Sequence, residues 1–496
     1  MKIENYRPAM LWKLKITDFI KANWLLITIL LIGSFLRLYK ISAYMTFLGD
    51  EGRDVLVVRN LLVHFDPILI GPGTSVGNMY LGPLYYYFMA PFLFLSNFSP
   101  VGPAVGVALL GIATIYLVYV TGHDWFGKKA GLIASLFFAI SPTVIIYSRS
   151  SWNPNIMPFF ALLSIFSIWK VWKEKNYKYL IYSAISFAFV LNSHYLGVLL
   201  LPVLFIYWFL SRPPIRYTLY AIALFLFLMS PILIFDLRHD FMNFNALINF
   251  LNSNGNNLGF SLSGFITKIY GTFEIIINSL LISKNLQFGR YVSLGIMLFL
   301  VFVLTKKKFN ILLLWLGFGI IGFGLYNLSI YDHYFGFLFA APFLLIGGFI
   351  ENIFENLSKA GNYVLLLAIL LLFIVNVINN PLRNSPNNQM KRAENVANKI
   401  IAESKDQYFN IAVVAEQNYE DGYQYFLEKN NSKIIEIDAQ LPETVADQLF
   451  VICEKVKEKC DPTHSSKAEV ANFGWSIISE QWTVDGVQLY KLIHTK

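Results

Sequence analysis

Residues 23–54 read NWLLITILLIGSFLRLYKISAYMTFLGDEGRD. An apolar run over 23–41 gives way, within ten residues, to four charged side chains in five: Asp50, Glu51, Arg53 and Asp54. A run of roughly 20 apolar residues is the length that crosses a bilayer core as a helix. Before it lie Lys2, Arg7, Lys13, Lys15 and Lys21. A basic stretch and an apolar run suggest a signal peptide, but Arg37, Leu38 and Tyr39 follow in place of a small-residue cleavage site. The reading is a retained first span with a cytosolic N-terminus. The acidic cluster then opens a first external loop, 42–79.

The rest of the chain repeats the apolar theme. Of 496 residues, 56% are apolar and 14% charged, more apolar surface than a soluble domain of this size buries. Further candidate spans lie near 80–96, 103–121, 130–148, 156–172, 179–193, 195–210, 217–235, 291–304, 311–326, 335–350 and 362–378. Residues 1–378 hold 26 basic and 14 acidic side chains, net +12, whereas 379–496 hold 13 and 17, net −4. The positive excess therefore belongs to the short basic loops that set membrane orientation, and nucleic-acid binding has no support.

Three basic loops, around Lys170 to Lys178, Arg212 to Arg216 and Lys306 to Lys308, fall in the cytosol together. That puts the long loop 236–290 and everything after 378 outside. Only two candidates separate Asp50 from Lys128, so one of the twelve does not cross once. The weakest is 80–96, interrupted by Pro83 and Pro91; the stretch 179–210 is the other suspect. The expectation is an α-helical polytopic membrane protein with about 11–13 spans.

After Pro381 the composition changes, and 383–388 reads as a linker. Residues 390–404 have helical periodicity and 421–429 read as a helix. NIAVVA (410–415), KIIEID (433–438) and QLFVIC (448–453) read as strands, and 475–493 as a terminal strand pair. Strands alternating with helices imply a small soluble α/β domain over 379–496. It holds the only cysteines, Cys453 and Cys460. They pair if the domain faces an oxidising compartment and are free thiols otherwise.

Asp50 and Glu51 precede an amphipathic stretch, Val55–Val63, that suits a helix along the interface with the acidic pair at its N-terminus. A capping pair on a solvated loop is the plain alternative. The next segment, Met79-Tyr80-Leu81-Gly82-Pro83-Leu84-Tyr85-Tyr86-Tyr87 and Ala90-Pro91, returns to the membrane. This succession resembles the first external loop of the multispan, GT-C superfamily of glycosyltransferases, most closely the protein O-mannosyltransferases and lipid A aminoarabinose transferases. Trp125-Phe126-Gly127-Lys128-Lys129-Ala130, Ser141-Pro142 with Ser148-Arg149-Ser150, and Asp332-His333-Tyr334-Phe335 with Ala341-Pro342 are similar to later family elements. The likeness covers about 20–350.

The resemblance implies GT-C architecture and inverting transfer of a sugar from a polyprenyl-phosphate donor to a lipid, glycan or protein acceptor on the extracytoplasmic face. It implies a first-loop carboxylate as base: Asp50, with Glu51 assisting or binding a divalent cation, or the two with their roles reversed. Binding candidates are Arg53, Tyr85, Arg149, Asn153, His194, Arg238, Arg290 and His333. The cations serve a leaving phosphate, with Arg53 alternatively holding Glu51 in place. The histidines are ionisable groups at membrane depth, where a packing role is the plain reading. Where the aminoarabinose-transferase pattern has an aspartate after Arg149, this chain has Trp152-Asn153-Pro154-Asn155. Asn153 cannot be a base but can hold a sugar hydroxyl. The 236–290 loop, about 55 residues, is too short for the inserted β-domain of eukaryotic O-mannosyltransferases. Composition suits a prokaryotic plasma membrane. Two other classes compete. A transporter or flippase for lipid-linked substrates would show paired halves and midplane charges, which the chain lacks. A non-catalytic assembly or sensor subunit would not need the acidic loop.

Overall fold

The computed structural model of the chain describes residues 8–77, 79–255, 262–284, 286–326, 329–354 and 358–495. Asn78 and residues 1–7, with Lys2 and Arg7 of the basic N-terminus, lie outside the described residues.

Helices form at all twelve apolar segments. Six cross a membrane by length and composition on their own: Ile20–Leu38, Val101–Phe126, Asn153–Glu174, Ile215–Arg238, Lys307–Leu325 and Lys359–Ile378. A pair bent by 52°, Asp332–Leu338 with Ala340–Asn352, makes a seventh. Four more apolar helices, Leu84–Leu95, Tyr179–Ser193, Tyr195–Ser211 and Phe288–Val303, are shorter. A count of 11–13 thus requires these short helices to join the long ones. The shortest, Leu84–Leu95, has Pro83 at its N-cap and Pro91 inside. Its 12 residues rise about 18 Å, well short of the roughly 30 Å hydrocarbon core. The chain is a multi-pass membrane protein.

The segment 236–290, expected as a long loop, instead carries two further helices, Met242–Gly255 and Leu262–Leu281. The second buries Phe273, Ile276, Ile277, Leu280 and Leu281, the i, i+3, i+4 stripe of an amphipathic helix. Asn278, Ser279 and Glu274 interrupt its apolar run, so a search for continuous hydrophobicity passes over it.

The C-terminal segment folds as a four-stranded sheet, β1 (Asn410–Val414), β2 (Gln448–Cys453), β3 (Ser476–Val484) and β4 (Val487–His494), in the order β1-β2-β4-β3. β1 and β2 are parallel, and β4 runs antiparallel to both its neighbours. Asp485 and Gly486 turn β3 into β4 at φ 47° and 83°, the positive values a tight hairpin turn demands. Side chains of β1 alternate between faces. Ile411 and Val413 pack with helices Gln389–Ser404 and Asp421–Lys429, while Ala412 and Val414 face helix Ala468–Phe473. Residues 433–438 are not the strand expected. They make one parallel bridge, Phe409↔Ile434, after which the Asn410 side chain takes the Ile435 carbonyl (2.7 Å) and the ladder stops. Cys453 and Cys460 are joined in a disulfide.

One core runs from the membrane helices through the first loop into this sheet. Met89, Leu93 and Val107 share it with Val55 and Val58 of the first loop, and with Val396, Tyr423, Phe426 and Leu489. The Asn388 amide donates to the Ala43 carbonyl (2.9 Å) and the Tyr425 hydroxyl to the Phe98 carbonyl (2.6 Å). The C-terminal sheet is therefore fastened to the first loop.

Candidate active site

Asp50 and Glu51 lie in the first turn of helix Gly49–His64, where carboxylates meet the positive end of the helix dipole, and Arg53 and Asp54 follow in the second. This acidic helix does not simply lie along the interface. Gly49, Glu51, Gly52, Asp54, Val55, Leu56 and Val58 are buried, with Leu84–Leu95 on one side and the C-terminal helix Asp421–Lys429 on the other. Its two glycines explain how close the second contact is. A Cβ at Gly52 would lie 2.2 Å from the Gly422 nitrogen, and one at Gly49 would lie 2.4 Å from the Tyr419 ring.

The N-cap residue is Leu48, which has no side-chain acceptor, so the free amides of this turn need partners from elsewhere. Glu51 Oε2 accepts from the Leu48 amide at 3.0 Å, the glutamate half of a capping box. The Gly49 amide is met from the C-terminal segment, by Asn418 Oδ1 at 2.8 Å. Glu51 is 5% exposed, and burial pushes its carboxyl up to about 7. Asp54 is fully buried and pushed up to about 6 by that burial, with Arg53 pulling the other way. Arg53 lies between Asp50 (2.9 Å) and Asp54 (2.8 Å), not against Glu51. Tyr86 also donates to Asp54.

Asp50 is the member of the cluster left open: its side chain is 42% exposed. It lines a cavity of about 280 Å³ with Glu51, Tyr147, Ser150, Trp152, Asn155 and Tyr419. Asp50 Oδ1 accepts from Arg53 and from the Tyr419 hydroxyl. Among the described residues Oδ2 has no hydrogen-bond partner. Asn155 Nδ2 donates to the Ser150 carbonyl (2.8 Å), and its Oδ1 is without a protein partner.

The other expected residues divide. His194 and His333 come together, ring centroids 6.1 Å apart, and His333 lies 4.5 Å from Trp152; they form an aromatic wall behind the cavity's Trp152. Tyr85 is fully buried and bonded to Ser151 Oγ (2.7 Å). Asn153 is also buried and donates to the Ser193 carbonyl (2.8 Å), so Asn155 is the asparagine of that motif at the cavity. Arg149 donates to the carbonyls of Leu36 and Tyr39 and clasps the end of the first span. Arg238, at the end of Ile215–Arg238, and Arg290, paired with Glu274 (3.3 Å), do not line this cavity. Among the described residues no three His, Cys, Asp or Glu side chains converge, and Glu51 Oε2 is engaged by the Leu48 amide.

Sequence reasoning missed Gln417 and Tyr419, which reach the cavity from beyond residue 400. They come just after a strand end, the usual place for functional residues in α/β folds, but nothing local links them to Asp50.

The sequence family of dolichyl-phosphate-mannose-protein mannosyltransferases matches residues 81–235. No curated protein matches the chain. Among solved structures, ArnT from Cupriavidus metallidurans bound to undecaprenyl phosphate is similar over 95% of this chain and 98% of its own, with a TM-score of 0.62 at 13% identity. The archaeal oligosaccharyltransferase AglB from Archaeoglobus fulgidus, in complex with an inhibitory peptide and a dolichol-phosphate, is similar over 87% of this chain and 70% of its own, with a TM-score of 0.55 at 13% identity. The chain shares the fold of ArnT, and its residues 81–235, which follow the first loop, match the dolichyl-phosphate-mannose-protein mannosyltransferase family, in line with the resemblance seen in the sequence.

Proposed function

We propose that this protein transfers a single sugar from a polyprenyl-phosphate donor to a lipid, glycan or protein acceptor, with inversion, on the extracytoplasmic face of a prokaryotic plasma membrane. Asp50 is the base. One observation carries the reading: of the two carboxylates that line the cavity, Asp50 and Glu51, only Asp50 is left open, its side chain 42% exposed. Glu51 caps the helix and Asp54 is buried against Arg53 and Tyr86.

The chemistry is set by that placement. The acceptor oxygen forms a bond to the anomeric carbon as the bond from that carbon to the donor phosphate oxygen breaks. The acceptor's proton passes to Asp50 Oδ2, and inversion requires the base opposite the departing phosphate. At about 280 Å³ the cavity falls just below the roughly 300 to 1,000 Å³ of most ligand sites, and this favours one sugar ring over an oligosaccharide. Trp152 offers an apolar face to the ring. The family match and the lipid phosphates bound by ArnT and AglB support the donor class. The disulfide supports an oxidising, extracytoplasmic setting for the C-terminal domain.

The test is transfer from a panel of radiolabelled polyprenyl-phosphate sugars by purified wild type and Asp50→Asn in detergent with lipid. Labelled product from wild type, with a loss of about 10²-fold or more in the variant, is expected. Undiminished transfer by Asp50→Asn would move the base elsewhere.

A further inference from the structure

We infer that the C-terminal domain supplies part of the catalytic arrangement: Tyr419 is a positioning residue that orients the Asp50 carboxylate, and Asn418 sets the helix turn that carries it. The inference rests on Asp50 being the base.

Four contacts converge on two consecutive residues of the loop after β1. The Tyr419 hydroxyl donates to Asp50 Oδ1, the oxygen that also takes Arg53. Both donors on one oxygen fix the carboxylate plane and leave Oδ2 for the acceptor hydroxyl. Asn418 Oδ1 accepts from the Gly49 amide (2.8 Å) and the Tyr419 amide (3.0 Å), so one atom ties the start of the acidic helix to the backbone of Tyr419. Asn418 Nδ2 donates to Glu454 Oε1 (2.6 Å), which fixes the amide orientation. Glu454 follows Cys453, so the disulfide and the end of β2 anchor the network at its far side.

The glycine at 49 fits the same account. The Tyr419 ring lies where a Cβ would be, so only glycine lets the tyrosine cross the helix backbone and reach the next side chain. A docking surface alone needs apolar area, which Phe47, Phe426 and Val58 already supply. It does not need a hydroxyl delivered to the exposed carboxylate of the cavity, Asp50.

Tyr419→Phe keeps the ring and removes the hydroxyl. In the full-length protein we expect kcat to fall about tenfold or more, the scale of a hydrogen bond to a charged group. KM for the donor should stay within twofold, and resistance to trypsin at Arg59, half-buried beside Tyr425 of the docked domain, should be unchanged. Tyr408→Phe, at an exposed position of the same domain, should be silent. A Tyr419→Phe kcat within twofold of wild type overturns the inference. So does a loss of kcat matched by loss of protease resistance, since that marks a docking role. If Asp50→Asn transfers at the wild-type rate, the reading of Asp50 falls, whatever Tyr419→Phe does. If Asp50→Asn is inactive while Tyr419→Phe is fully active, only the role of Tyr419 falls.

Discussion

Gly52→Ala tests whether the first loop and the C-terminal domain are one unit. In an isolated helix this change is favourable by about 1 kcal/mol. Here the new Cβ would meet the Gly422 nitrogen at 2.2 Å and the Asp421 carbonyl carbon at 2.4 Å. These are backbone atoms and cannot swing aside, so the cost falls at the upper end of the 1–3 kcal/mol typical of overpacking. The net effect is about 2 kcal/mol against docking, or roughly 30-fold in the docking equilibrium at 1.4 kcal/mol per decade. Trypsin reads that equilibrium at Arg59, half-buried beside Tyr425 in the helix the C-terminal domain covers, when opening is fast relative to cleavage. Cleavage of Gly52→Ala should be about 30-fold faster than that of wild type. Gly271→Ala, where a Cβ meets nothing within 4 Å, should match wild type. Cleavage of Gly52→Ala at or below the wild-type rate would refute the reasoning, because helix propensity would then have outweighed the contact.

Glu51 has an ordinary value of 4.5 raised to about 7 by burial. The folded state thus holds the proton more tightly, and the stability this confers, full below about 4.5, is lost as the pH rises to about 7. Glu51→Gln keeps an acceptor for the Leu48 amide without the buried charge. Its Tm should gain on wild type between pH 5 and pH 8, and a margin that does not widen would count against the burial argument. Asp421, pushed up to about 7 by burial and Glu420, leaves a residual dependence of the same sign in the variant. Arg149→Met strips the Leu36 and Tyr39 carbonyls of their donor. A loss of about 2 kcal/mol or more is expected, read as a lower Tm with the donor KM of the folded protein unchanged; a raised KM at normal Tm would restore a phosphate role.

Much of the architecture was legible because its signals are local. Apolar runs marked every membrane helix, and NIAVVA and QLFVIC marked the two buried strands. The amphipathic helix Leu262–Leu281 escaped because Glu274, Asn278 and Ser279 break its apolar run. The extended 433–438 stretch escaped for a different reason, since an asparagine side chain ends its pairing. At the site, the acidic loop was legible and its partners were not. Asn418 and Tyr419 are 369 residues away from Gly49 and Asp50, and no pattern in one sequence connects them.

The division of labour within Gly49-Asp50-Glu51-Gly52-Arg53-Asp54 is a consequence of helix geometry once the segment is helical from Gly49. Residues three and four apart share a face, so Asp50, Arg53 and Asp54 form one row and Arg53 is drawn to both aspartates. Glu51 points about 100° away around the helix, onto the Leu48 amide. Pairing Arg53 with Glu51, two residues apart, goes against that spacing. The two glycines occupy 49 and 52, again three apart, and so mark a second face, the one that the C-terminal loop and helix cover. One row of this helix is thus given to charge and the other to close approach. Asp50, one residue from Gly49, stands where the two meet, and a residue of the covering domain can reach the carboxylate without closing the cavity in front of it.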